Sequence, residues 1–160
     1  MMSNLEKRVE AMMRLCLAEK ESDRNQIREE IRNYLIHSGT GARDPEQEIR
    51  RILLELGAPD HLVGHPYVIR AILLVIGDRL YINNITFGLY PQLAVEFDTT
   101  PARVERAIRH LIEVTWSRGD LDILDRYFGN TISASKGKPT NGEFIARMAN
   151  VVRANLRIAE

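Results

Sequence analysis

The stretch EFDTTPARVERAIRHLIEVTWSRG, Glu96 to Gly119, decides how this chain is read. Thr100 stands directly before Pro101, and the pair reads as a helix start. A threonine oxygen can accept from an N–H of the first turn, and the N–H that proline lacks is an orphan there anyway. At about 100° per residue, Val104, Ala107, Ile108, Leu111 and Thr115 share one face. The opposite face carries Ala102, Arg106, Arg109 and Glu113, flanked by Glu105 and His110, with Arg103 at its edge near the N-terminus. A helix over about 101–116 thus has a hydrophobic back and a guanidinium-rich front.

The segment before it completes a motif. In YPQLAVEF, Leu93 and Phe97 fall on one side, with the small Ala94 between them, where a second helix can cross closely. DTT makes a three-residue turn. A short helix, a tight turn and a longer helix with an apolar back is the pattern of a helix-turn-helix. Asp98 stands where many such motifs have glycine, and aspartate tolerates left-handed backbone angles.

Outward from this motif, helical periodicity dominates. Leu5, Val9, Met12 and Cys16 mark one face of a first helix. Ser22 or Asp23 caps a second, carrying Ile27, Ile31, Tyr34 and Leu35. HSGTGARDP then breaks the pattern, which puts a linker at about 37–44. Asp44, Pro45 and Gln47 start a helix whose buried stripe is Ile49, Ile52, Leu53 and Leu56, stopped by Gly57 and Pro59. A further helix is expected from about Pro66 to Tyr81. After the motif come a helix in DLDILDRYFG, a loop or pair of short extended segments in TISASKGKPTNG, and a terminal helix in EFIARMANVVRANLRI. No alternating run is long enough for a sheet. The expectation is an all-α multi-helix bundle containing a helix-turn-helix, with a two-helix N-terminal arm over 1–43 and the helix-turn-helix unit over 44–160.

The chain has 160 residues and a formal net charge of zero, which hides a gradient. Residues 99–160 hold 10 basic and 7 acidic side chains, so an anionic partner would dock in the last third. The longest wholly apolar run, Ala71 to Ile76, is far short of the about 20 residues of a membrane span. The N-terminus reaches charges at once, without a signal-peptide core. The expected setting is cytoplasmic, away from any membrane. The lone Cys16 excludes an intramolecular disulfide and a Cys-rich zinc site.

Arginine-rich helix fronts suit duplex DNA. Guanine offers O6 and N7 in the major groove, and one guanidinium fork matches both. Glu105 can accept from cytosine N4 or brace Arg109, four residues on. Such helices read with their N-terminal residues, where these arginines cluster. The competing reading is an amphipathic surface helix whose arginines make only exposed ion pairs, worth roughly 0–1 kcal/mol. Enzymatic chemistry finds no assembled nucleophile, base and oxyanion donor. His61 and His65 lie four apart, but no further ligand follows at a metal spacing, so no metal and no cofactor are expected, and His61 is assigned a packing or capping role. GKPT at 137–140 lacks the upstream glycine of a phosphate loop; Lys136 and Lys138 read better as phosphate contacts. Trp116 reads as a core or interface anchor.

TTPARVERAIRHLIEVTWSRG, KPTNGEFIA and ELGAPDHLVG together carry a family resemblance. From about Ile49 to Leu156 the chain resembles the C-terminal effector domain of the sporulation master regulator, stage-zero sporulation protein A, of spore-forming bacteria. The resemblance implies an all-helical domain that binds a short operator element, often as tandem copies. It implies base contacts from Arg103, Glu105, Arg106 and Arg109, with Thr100 and His110 beside them at phosphates; Ser117, Arg118, Lys136 and Lys138 are further phosphate candidates. It also implies a contact with an RNA polymerase sigma factor through the helix around Leu121 to Phe128. The family's usual receiver domain is missing from the expectation, since about 45 residues precede the resemblance; they read as helices. Leu5, Val9, Met12 and Cys16 would then form a dimer seam or pack on their own domain. The alternative function is an antagonist that pairs with a full-length regulator or competes for its sigma factor.

Overall fold

The computed structural model describes residues 43–129 and 137–158, with isolated positions between 10 and 29. The expected arm with its Leu5, Val9, Met12 and Cys16 seam, and Lys136, lie outside the described residues. The chain divides into two compact units, Met1–Ala42 with Ala159–Glu160, and Arg43–Ile158. The second unit contains α1 (Pro45–Glu55), α2 (Gly64–Gly77), α3 (Leu80–Asn83), a π-helical turn (Ile85–Leu89), α4 (Tyr90–Glu96), α5 (Pro101–Arg118), α6 (Leu121–Phe128) and α7 (Asn141–Ile158). The all-α expectation holds: no strand occurs among the described residues.

α1 starts as its residues dictate. Asp44 accepts from the Glu46 N–H at 3.1 Å, and Pro45 opens the first turn. Gly57 ends the helix at φ 76°, the left-handed region glycine enters without steric cost. Ile49, Ile52, Leu53 and Leu56 are completely buried. Glu48 is buried among them. It accepts from Arg51 at 2.6 Å and from the Asn155 amide of α7 at 2.7 Å. The Arg51 guanidinium beside it holds its carboxyl below the usual carboxylate range, against the opposing push of burial.

α2 is the central helix. It packs against α1, α5 and α7, and Tyr67, Val68, Ile69, Ala71, Ile72 and Val75 are all buried. The expected helix over about 66–81 is corrected at both ends. It begins at Gly64, because Pro66 lies in the first turn, where its missing N–H costs nothing. It stops at Gly77, where Asp78 turns extended (φ −143°, ψ 110°) and its carboxylate caps Leu80 N to start α3. Arg153 of α7 then donates to the Val75 and Ile76 carbonyls at 2.5 and 3.3 Å, satisfying the end of α2. The terminal helix also starts earlier than its apolar pattern suggests, at Asn141.

A third assembly joins α5, α6 and α7. The Trp116 ring meets Phe128 and Phe144 edge-on at 5.1 and 6.1 Å, and those two stack at 5.2 Å. Trp116 is therefore the anchor its position implied. His61 is exposed and has no packing role; His65 is the buried histidine.

This packing can be tested at two points. A Cβ on Gly64 would lie 2.2 Å from the Ala107 carbonyl oxygen of α5. Gly64→Ala should therefore destabilise the unit by about 1–3 kcal/mol in chemical denaturation; an unchanged midpoint would show that α2 and α5 are not in close contact. Burial pushes the His65 imidazole below its ordinary value, helped by the Arg50 charge. The unfolded chain, with a histidine of about 6.5, binds a proton the folded one resists. Stability should then be full well above that pH and fall as the pH drops through and below about 6.5. His65→Phe should flatten that slope in denaturation measured across that range.

Candidate nucleic-acid interface

α4, a four-residue turn and α5 form a helix-turn-helix, and each joint is tied down. In α4, Leu93 and Ala94 are buried, and the Ala94 carbonyl accepts from Thr99 N–H at 2.9 Å. Asp98 takes the left-handed conformation, φ 49°. The Phe97 ring lies 4.7 Å from Tyr67 of α2. Arg70 of α2 forms a bidentate pair with Glu96, at 2.6 and 3.1 Å, with Gln92 donating to the same carboxylate. Thr100 accepts from the Arg103 N–H at 3.3 Å and so caps α5. Val104, Ile108, Leu111, Ile112 and Thr115 bury the back of α5.

That burial leaves Arg103, Arg106 and Arg109 exposed on the front, with Glu105 half-buried beside them. The first and last of the three arginines are six positions apart, a rise of about 9 Å, within reach of one groove. Arg106 Nε donates to its own helix at Ala102 O, 3.3 Å away. Arg109 Nη2 pairs with Glu105 at 2.6 Å. The Arg103 guanidinium makes no hydrogen bond or ion pair to another described residue. An exposed pair of the Arg109–Glu105 kind is worth about 0–1 kcal/mol, so an incoming acceptor can replace it.

The remaining candidates divide by place. The Thr100 hydroxyl sits at the reading end as a cap, and His110 is exposed on the third turn. Ser117 and Arg118 lie at the far end of the 18-residue helix, about 25 Å along its axis from Thr100. Ser117 donates to Val114 O at 2.9 Å. Lys138 comes alongside from the loop before α7 and pairs with Glu113 of α5 at 3.0 Å. Between that loop and α5 runs an open groove of about 270 Å³, lined by Arg109, Glu113, Lys138 and Thr140 among others.

Two residues of this region were not singled out from the sequence. Asn141, only 7% exposed, donates through one amide nitrogen to Tyr90 Oη at 3.0 Å and to the Glu105 carbonyl at 3.1 Å. Tyr90 opens α4 and is itself buried; burial raises its hydroxyl pKa, with the Asn141 hydrogen bond working the other way. A signal was available. Thr140 and Glu143 form a reciprocal capping box, Thr140 N to Glu143 Oε2 at 2.9 Å and Glu143 N to Thr140 Oγ1 at 3.2 Å. That T-x-x-E spacing marks the start of α7 and puts Asn141 in its first turn. Its inward direction depends on the tertiary fold and has no local signature.

The turn yields a test. Asp98→Gly should keep or raise stability, by up to about 1 kcal/mol, because glycine adopts φ 49° freely; Asp98→Val should lower it by at least about 1 kcal/mol. Equal melting temperatures for all three proteins would contradict the turn geometry.

Among the described residues no group of three or more His, Cys, Asp or Glu is placed to hold a metal, and no helix is long and apolar enough to cross a membrane. An arginine-fronted, threonine-capped helix seated on a helix-turn-helix frame is the feature to set against known families. Residues 49–152 match the family model described as "Sporulation initiation factor Spo0A C terminal", and the chain belongs to this family of DNA-binding effector domains that regulate transcription in sporulation.

Proposed function

We propose that the chain is a sequence-specific reader of double-stranded DNA, with the N-terminal turns of α5 in the major groove. One observation carries this reading. Arg70, Arg147 and Arg153 are engaged across elements, with Glu96, Tyr127 O and the end of α2. The two arginines of α1, Arg50 and Arg51, are matched within their helix by three carboxylates, Glu46, Glu48 and Glu55, whereas among the described residues Glu105 is the one carboxylate paired with the three arginines on the front of α5. On the front of α5 the arginines have only same-helix partners, Ala102 O and Glu105. They are left available to an outside acceptor.

In this reading Arg106 and Arg109 take guanine edges, and Arg103 and Glu105 contact neighbouring bases. Thr100, His110 and Lys138, the last by leaving Glu113, take flanking phosphates in this reading, with Ser117, Arg118 and Lys136 as further candidates. Residues 44–160 are the DNA-binding unit and 1–43 an arm that dimerises or packs in cis. Two copies would occupy tandem sites. The exposed Leu121 beside Asp122 and Asp125, on α6, offers the surface for an RNA polymerase sigma factor.

Arg106→Ala should cost about 1–3 kcal/mol of specific binding and relax the preference at one base pair. The measurement is a gel-shift titration against a duplex selected from a random pool and against its scrambled version. Equal affinities of both proteins for both duplexes would remove the assignment. They would leave the antagonist reading, which pull-down with a full-length regulator tests.

A further inference from the structure

We propose that Asn141 is a positioning residue for the reading helix: its amide fixes the roll and register of α5 against α4. The inference rests on the DNA-reading assignment above. One nitrogen joins the first turn of α7 to the start of α4, through Tyr90 Oη, and to the second turn of α5, through the Glu105 carbonyl. That carbonyl lies between Val104 and Arg106 in sequence. A helical carbonyl has a second lone pair, so the bond to Asn141 adds to the helix ladder without breaking it.

The apolar back of α5 cannot set this geometry alone. Packing decides which side of α5 faces the core, but hydrophobic attraction is non-directional and defines the last few degrees of roll less sharply than buried hydrogen bonds do. A roll of about 10° moves a side-chain tip at a radius of about 6 Å by about 1 Å. Hydrogen-bond distances to base edges span only about 0.5 Å, so such a roll breaks a bidentate contact while leaving charge attraction intact. The Asn141 bonds are directional and buried, and they hold α5 at Glu105, between Arg103 and Arg109. Phosphate attraction depends on charge alone and tolerates the same roll. The residue therefore governs selectivity more than affinity for DNA in general.

Tyr90 Oη limits movement in the other direction. It ties the same amide to the helix that leads into the turn, so α4 and α5 are referenced to one point rather than to each other through the turn alone.

The test compares wild type, Asn141→Ala and Tyr90→Phe on the selected duplex and its scrambled version, at one salt concentration. Circular dichroism supplies the folded fraction. Asn141→Ala should lose about tenfold in affinity for the selected duplex and stay within about twofold on the scrambled one. Tyr90→Phe, which removes one acceptor, should shift the ratio in the same direction by a smaller factor. A residue with a merely structural role lowers both affinities together with the folded fraction. Folded Asn141→Ala with the wild-type ratio, or with equal losses on both duplexes, overturns the inference. Should Asn141→Ala fail to fold, an unchanged ratio for Tyr90→Phe overturns it instead. A wild-type protein that itself shows no preference overturns the DNA-reading assignment and this inference with it. A selective wild type beside an equally selective Asn141→Ala overturns this inference alone.

Discussion

The close approach of α2 to α5 is the constraint on which the rest depends. Gly64 has no side chain, and the α5 backbone at Ala107 occupies the space one would need. This contact lets Val104, Ile108, Leu111 and Ile112 reach the core. Burying each such side chain contributes about 1.5–3 kcal/mol, against about 0–1 for an exposed ion pair. Packing therefore determines which way α5 faces, and its arginines point outward as a consequence. Their guanidinium groups do little for stability, which leaves them open to function.

A chain with no net charge can still carry a localised cationic surface, because charges elsewhere can be matched in pairs. Glu48 and Glu96 are matched to Arg51 and Arg70. Arg153 closes the end of α2, and Arg147 bonds the Tyr127 carbonyl. On the front of α5, Glu105 is the one carboxylate among the described residues that pairs with the three arginines. This is how a neutral protein can approach a polyanion with one face.

Much of this was legible in the residues. Asp44–Pro45 and Thr100–Pro101 are local signals, and local hydrogen bonds decide helix starts; both helices begin where those residues put them. The back of α5 follows from a 3.6-residue period, and Asp98 in the turn follows from what aspartate tolerates. The break after Gly77 was hidden, because the apolar residues on either side of Gly77, Asp78 and Arg79 read as one helix while the decision rests on Asp78 capping a new start. Pro66 misled in the other direction, since proline stops a helix in its interior and suits its first turn. His61 and His65 could not be told apart without knowing which side of α2 faces the core. Asn141 was illegible for the same reason: its partners lie 36 and 51 residues away in sequence.

The central claim is that the outward face of α5 enters a major groove, and guanine N7 reports on that groove directly. Dimethyl sulfate places a methyl group on N7, where an arginine fork would bond. The measurement is methylation interference on a duplex selected by the wild-type protein. The account predicts that duplexes methylated at one or two site guanines are depleted from the bound fraction, and that Arg106→Ala or Arg109→Ala abolishes the depletion at one guanine each. Bound and free fractions with the same methylation pattern throughout the site would contradict it.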